Sequence, residues 1–90
     1  MRLEVQITHD EFVGHVQSKV QEAMALNHHL RVREVAKRHN VSFPLLYQLS
    51  RWEPESGRSF QFRKLLDAYD CALELLTNNQ ATTNLHRYPK

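Results

Sequence analysis

Residues 42 to 51, SFPLLYQLSR, place hydrogen-bonding side chains beside a run of large apolar ones. Gln48 carries an amide that both donates and accepts, and Arg51 carries a guanidinium that only donates. Phe43 and Tyr47 are four residues apart, so they share a face if the segment is helical. Three explanations are open for this combination: a surface that reads nucleic acid, a docking patch for another protein, or part of a small helical core.

The basic charge of the chain is concentrated around this stretch. The 90 residues carry a net charge of +2, but residues 30 to 64 hold eight Lys or Arg against three Glu. Residues 1 to 29 and 65 to 90 are each net negative. A basic region within a near-neutral chain is typical of a surface that binds a polyanion, while a solvated face with surplus Arg is the simpler alternative.

Signatures of catalysis and metal binding are missing from the sequence. There is no G-x-S-x-G motif, and two glycines cannot build a phosphate-binding loop, so an enzyme is not expected. The six histidines include no H-x-x-x-H spacing and no cysteine pair accompanies them, so neither a metal nor another cofactor is expected. The single cysteine, Cys71, lies in the apolar pattern YDCALELL and is expected to be buried.

The first half of the chain predicts a short strand and two helices within a single domain. Residues 2 to 7, RLEVQI, alternate polar and apolar residues as a half-buried strand does. Thr8 and Glu11 form a capping box, after which apolar residues recur at helical spacing from residue 9 to about 26. A second helix is expected from about residue 32 to 39. Low Gly and Pro content supports a mainly helical fold.

The second half predicts two more helices and a tail. Ser42 is a good N-cap and Pro44 suits a first turn, so a third helix should span residues 43 to 51. A fourth helix is expected from about residue 59 to 76. The polar string after it predicts a flexible tail over residues 78 to 90, which leaves a domain of residues 1 to 77. The apolar stripe of the fourth helix should comprise Phe62, Leu65, Leu66, Tyr69, Leu73 and Leu76.

The second and third helices have the offsets of a helix-turn-helix. Ala36 is small enough to let two helices cross closely, and Asn40 tolerates the positive φ of a tight turn. Apolar anchors for the third helix follow at Val41, Leu46 and Leu49. This pattern resembles the twenty-residue helix-turn-helix of phage Cro and lambda-repressor-like proteins.

The resemblance is detailed over residues 32 to 52 and extends in order of elements over residues 10 to 77. Two positions depart from the family, which usually has Gly in place of Asn40 and an apolar residue in place of His39. The resemblance implies a small four- to five-helix repressor-like bundle, here preceded by a short N-terminal β-strand. The chain length is similar to that of small regulators from temperate phages.

The resemblance also implies that the third helix lies in the major groove of double-stranded DNA. There, Gln48 can pair with adenine, Arg51 can reach guanine or a phosphate, and Phe43 can pack on a thymine methyl group. Nearby histidines would add a mild pH dependence. The positions implied as base contacts are Ser42, Phe43, Pro44, Tyr47, Gln48 and Arg51. Phosphate contacts are expected from Arg31, Arg33, Lys37, Arg38 and Arg58.

The function expected from this resemblance is sequence-specific regulation of transcription, as a repressor or an activator of phage or prophage type. A dimer on a palindromic operator is expected, because one helix-turn-helix buries little surface. Its contact would be the strand at residues 2 to 7 or the helix at 59 to 76. The sequence has no signal peptide and no apolar run that could span a bilayer, so a cytoplasmic location without membrane contact is expected.

Two alternatives remain open at this point. The chain could be an interaction module, antitoxin-like or regulator-binding, whose docking patch is formed by Phe43, Tyr47 and Trp52. It could also be a ribbon-helix-helix protein that reads DNA with Arg2, Glu4 and Gln6 of its strand, although the long first helix and the sharp turn at residues 39 to 42 argue against this.

Overall fold

The described part of the chain is a bundle of four helices. A computed structural model describes the backbone of residues 8 to 86 and the side chains of residues 8 to 77. Within this range α1 spans His9–Leu26, α2 spans His29–Arg38, α3 spans Phe43–Ser50 and α4 spans Phe62–His86. The predicted mainly helical fold is therefore confirmed for these residues. The strand predicted at residues 2 to 7 lies outside them.

Helix α1 begins where the capping box predicts. The Glu11 amide donates to Thr8 Oγ1 at 3.0 Å, and the Thr8 amide donates to Glu11 Oε1 at 2.9 Å. These two bonds satisfy amide groups that the helix itself leaves without partners. The face that α1 turns toward the core carries Val13, Val16, Val20 and Ala23.

Helix α2 begins three residues earlier than the sequence predicts. His28 is its N-cap, and the ring nitrogen Nδ1 accepts a hydrogen bond from the Leu30 amide at 3.1 Å. An imidazole nitrogen can replace the usual hydroxyl or carboxylate oxygen as the acceptor at this position. His28 and His29, which lie between the first and second helices of the prediction, therefore start α2 instead.

The connection between α2 and α3 is a tight turn built on Asn40. This residue has φ 61°, in the left-handed region. The Val41 amide donates to the Ala36 carbonyl at 2.9 Å, and the Asn40 amide donates to the Lys37 carbonyl at 3.1 Å. This pair of bonds is a Schellman motif, which closes the end of α2 and satisfies two of its last carbonyls. Asn40 thus fills the role predicted for it.

Helix α3 is anchored along its inner side and at both ends. Leu46 and Leu49 are 1% and 0% exposed, as predicted. At the N-terminus, Ser42 Oγ accepts from the Leu45 amide at 3.2 Å. At the C-terminus, the Ser50 carbonyl accepts from the amide nitrogens of Gln17 at 3.3 Å and Gln21 at 2.7 Å. Helix α1 therefore caps the end of α3 with two side chains.

Helix α4 differs from its prediction in bounds and in the face it buries. It begins at residue 62 because the Phe60 amide donates to the His9 ring at 3.3 Å, which holds the preceding segment outside the helix. It runs to residue 86, ten residues beyond the predicted end, and the sequence has neither Gly nor Pro between residues 77 and 88 to stop it. The predicted tail at residues 78 to 90 is thus helical up to residue 86.

The buried face of α4 consists largely of small residues that the predicted stripe omitted. Ala68, Cys71 and Ala72 are 0%, 0% and 1% exposed, which confirms the burial of the thiol. Phe62 and Leu73, which were assigned to the core stripe, are 65% and 37% exposed. Small side chains allow the backbones of packed helices to approach closely. The core-facing side of α4 consists of Leu65, Ala68, Cys71, Ala72 and Leu75.

An ionic cluster joins the end of α2 to α4. Glu74 accepts from His39 Nε2 at 2.6 Å and pairs with the Arg38 guanidinium at 2.7 Å. The pKa of Glu74 is lowered from its ordinary value of 4.5, chiefly by the hydrogen bond from His39 and further by Arg38, while partial burial acts in the opposite direction. The ionised carboxylate therefore stabilises the contact between these two helices.

Replacing Asn40 tests the turn. Asn40→Val should lower the free energy of unfolding by about 1 to 2 kcal/mol, because a β-branched residue is strained at positive φ. Asn40→Gly should retain the parent's stability, because glycine adopts this conformation freely. Urea unfolding of the three proteins at neutral pH measures the difference. Equal losses in both variants would show that the backbone conformation is not the reason for asparagine here.

The Glu74 cluster predicts an acid-sensitive contribution to stability. Because the pKa is lowered in the folded state, this contribution is complete above the ordinary value of 4.5 and is lost as the pH falls through the lower folded-state value. Glu74→Gln should therefore lose less stability than the parent between pH 5 and the acid limit of folding. Urea unfolding across this pH range measures both curves, and parallel curves would contradict the assignment.

Candidate nucleic-acid interface

The two sides of α3 differ sharply in exposure. Leu46 and Leu49 point into the core, while the outer side carries the residues that the resemblance assigns to DNA bases. Tyr47 is 50% exposed, and Phe43 is partly buried against the core. The remaining members of the outer side are exposed, namely Ser42, Pro44, Gln48 and Arg51. The six predicted positions thus lie together on one surface, which we call the outer α3 face.

Two aromatic rings on the outer α3 face each contact an arginine. The guanidinium carbon of Arg33 lies 4.3 Å from the ring centroid of Phe43, and that of Arg51 lies 5.6 Å from the ring centroid of Tyr47. A cation over an aromatic ring is attracted by the negative charge of the ring face. These contacts position two positive charges along α3, and they also occupy one side of each ring.

The amide of Gln48 is already hydrogen-bonded. Its Oε1 accepts from the Arg58 guanidinium at 2.5 Å, so the loop before α4 reaches back to α3. Bidentate pairing with adenine requires both the acceptor and a donor of Gln48. Arg58 must therefore release this oxygen if Gln48 is to read a base, and the released guanidinium becomes available to a phosphate.

The cations expected to contact phosphates fall into two groups. Arg31 and Arg38 are paired with carboxylates, Arg31 with Glu34 at 3.6 Å and Arg38 with Glu74 at 2.7 Å. Because Arg38 is held against α4, a phosphate contact would have to replace that ion pair. Lys37 is exposed beside α3. Together with Arg33 and Arg58, it places three of the five predicted cations next to the outer α3 face.

Lys64 is a cation at this surface that sequence reasoning missed. Its ammonium group donates to the Asn40 carbonyl at 3.2 Å, so the first turn of α4 reaches the turn before α3. An open cleft of about 550 Å³ separates these elements, and Lys37, Lys64 and Gln48 contribute to its lining. Lys64 contacts a residue 24 positions away in the sequence, so no local pattern indicates this contact. The only signal for Lys64 in the sequence is its place at the end of the basic region.

A second cleft lies on the other side of α3. It has a volume of about 400 Å³, and its lining includes Tyr47, Arg51, Arg58 and the acidic Glu53. The carboxylate of Glu53 opposes the approach of a phosphate on this side. The net positive charge is therefore greater in the cleft lined by Lys37 and Lys64 than in the cleft that also contains Glu53.

Trp52 is not available as part of a docking patch. It is 7% exposed, and its indole nitrogen Nε1 donates to the Arg58 carbonyl at 3.3 Å. Of the three aromatic residues in the interaction-module hypothesis, only Tyr47 is exposed, because Phe43 is packed against the core. The apolar surface that this hypothesis requires is therefore reduced to one ring.

The five histidines whose side chains the structure describes each contact another group of the protein. His39 binds Glu74, and His15 lies 3.2 Å from the Tyr69 hydroxyl. His28 stacks on His29 with ring centroids 4.5 Å apart. Over residues 8 to 77, no three His, Cys, Asp or Glu side chains are grouped as a metal site would require. No helix in the described range is long and apolar enough to cross a membrane.

Comparison with protein-family models, curated proteins and solved structures gives no match for this chain.

Proposed function

We propose that this protein is a sequence-specific DNA-binding regulator of transcription that places α3 in the major groove. The observation that carries the proposal is the division of α3: Leu46 and Leu49 are buried, while the outer face presents polar and aromatic groups beside four cations. These cations are Arg33, Lys37, Arg58 and Lys64. A recognition helix needs both properties at once, an anchored inner side and an outer side free to enter a groove.

The geometry supports a division of labour on the outer α3 face. Gln48 and Arg51 carry the groups that discriminate between bases, and Pro44 and Tyr47 offer apolar surface to thymine methyl groups. Ser42 caps the helix, so its hydroxyl has a structural role in addition to any contact with DNA. Phosphate binding is assigned to Arg33, Lys37, Arg58 and Lys64. Arg31 and Arg38, which are paired with carboxylates, are secondary phosphate contacts in this proposal.

The proposed regulator acts as a dimer on a palindromic operator. A single α3 of eight residues contacts only a few base pairs, so two copies are needed for tight and selective binding. The surfaces proposed for the contact are residues 2 to 7 and the helix predicted at residues 59 to 76, which corresponds to α4. Selection of bound fragments from genomic DNA tests the function directly, since one recovered palindrome would give the class, the symmetry and the half-site spacing together.

Gln48→Ala tests base recognition. The variant should lose about 1 to 3 kcal/mol of discrimination at one base position in each half-site, while its affinity for unrelated DNA stays near that of the parent. Competition binding with operator variants at every position measures this. Because Arg58 loses its partner in the variant, Arg58→Ala is the matched control: it should weaken binding to all sequences without relaxing any position. Unchanged preference in Gln48→Ala would remove α3 from the role of reader.

Arg33→Ala and Lys64→Ala test the phosphate contacts. Each should weaken binding to every sequence and reduce the slope of log affinity against log salt by about 1 per half-site, because fewer counterions are released. Lys19→Ala is the control, since it removes the same charge from a partly exposed residue of α1 that pairs with Glu22. Titration from low to moderate salt measures the slopes. Three identical slopes would contradict binding through the outer α3 face.

A further inference from the structure

Helix α4 carries a second apolar stripe beside its core-facing side. Phe62 and Leu73 are 65% and 37% exposed, and the other three members are partly buried. Helix α1 covers only one edge: the Phe12 and Phe62 rings are 5.4 Å apart, and His15 contacts the Tyr69 hydroxyl. We call this surface the outer α4 stripe; its members are Phe62, Leu66, Tyr69, Leu73 and Leu76.

The spacing of the outer α4 stripe is that of a helix that packs against another helix. Its members are separated by four, three, four and three residues, which is the alternation of a coiled-coil seam. Tyr69 and Leu76 also pack against the core of the bundle, whereas Phe62 and Leu73 stay exposed. An apolar stripe with this period and with exposed large residues is typical of a contact with one more helix.

The charges beside the stripe are complementary to those of a second copy of α4 in antiparallel orientation. Arg63 and Asp70 directly follow Phe62 and Tyr69 and are seven residues apart, so they occupy the same position of the heptad. The Arg63 side chain is 82% exposed, although it also pairs with Asp67 of the same helix at 3.3 Å, and Asp70 is exposed as well. In an antiparallel pair of helices this position faces its own equivalent, so Arg63 of each copy meets Asp70 of the other.

The parallel orientation lacks this complementarity. There, the position of Arg63 faces the heptad position taken by Leu65 and Ala72, and both of these are buried in the core of the bundle at 1% exposure. The antiparallel register that pairs Arg63 with Asp70 also aligns the apolar groups: Phe62 of one copy lies opposite Leu73 of the other, and Leu66 lies opposite Tyr69. Four apolar layers flanked by two ion pairs result.

We infer that the protein forms a homodimer through the outer α4 stripe, with the two α4 helices antiparallel about a two-fold axis between residues 67 and 68. This dimer deepens the proposed function. Its existence does not depend on DNA binding, and only its use on a palindromic operator rests on the proposed function. The antiparallel pair is isologous, as the dimer of a regulator on a palindrome must be.

Complementary charge reversals test the dimer without DNA. Arg63→Asp makes both members of each cross-pair acidic, and Asp70→Arg makes both basic, so each variant alone should self-associate at least about tenfold more weakly than the parent. Mixed together, the two variants restore opposite charges at both pairs and should form a heterodimer. Sedimentation equilibrium at low ionic strength measures the affinities, and native mass spectrometry identifies the heterodimer by mass.

Glu34→Arg is the control for these variants, because it makes the same charge change as Asp70→Arg at an exposed carboxylate of α2. It should dimerise like the parent, and circular dichroism should show that all variants are helical. Leu73→Gln provides a second, uncharged disruption of the stripe and should also weaken the dimer.

Three outcomes would overturn the inference. The parent could be monomeric, the reversals could leave its dimer intact, as contact through residues 2 to 7 predicts, or the mixture could fail to form the heterodimer. Since all readouts are made without DNA, each of these results would leave the tests of DNA binding by α3 unaffected.

Discussion

The structure depends on holding in place a helix that is too short to be stable alone. Isolated helices below about 12 to 15 residues are marginal in water, and α3 has eight. Its stability therefore comes from its surroundings: Leu46 and Leu49 on the inner side, the Ser42 cap at the start, and the side-chain amides of Gln17 and Gln21 at the end. Apart from the Ser42 cap, none of these anchors uses the outer α3 face. A helix held in this way is rigid and yet leaves most of that face exposed.

The turn at Asn40 connects α3 to the other helices of the bundle. Its Schellman bonds close α2, and its own carbonyl accepts from Lys64, so α2, α3 and α4 meet at one residue. The ion pair of Glu74 with Arg38 and its hydrogen bond with His39 join the C-terminal end of α2 to a more distant part of α4. Helix α4 thus contacts the C-terminal end of α2 at two positions, Lys64 and Glu74. These contacts fix the direction in which α3 leaves α2.

Local chemistry made part of this structure predictable. The cap at Thr8, the positive φ at Asn40 and the cap at Ser42 depend on residues within three positions of one another, so the sequence contains the whole interaction. The face of α4 could not be predicted in this way, because the helix has two apolar stripes and only packing decides which is buried. The bonds of Gln17 and Lys64 span 33 and 24 residues and depend on the fold. The features that could not be predicted from the sequence are therefore mainly tertiary contacts.

In the proposed complex with DNA, the arginines that contact the aromatic rings of α3 would hold a ring and read DNA at the same time. A guanidinium that lies over a ring uses its flat face, whereas its hydrogen-bond donors point outward in its plane. Arg51, whose guanidinium carbon lies 5.6 Å from the Tyr47 ring centroid, would then keep its contact with the ring while its donors meet a base or a phosphate. The ring reduces the freedom of a long side chain before binding, so less conformational entropy is lost when the contact forms. On this argument the aromatic residues of α3 act first as supports that orient the arginines, and contact with thymine methyl groups is an additional role for the exposed ring of Tyr47.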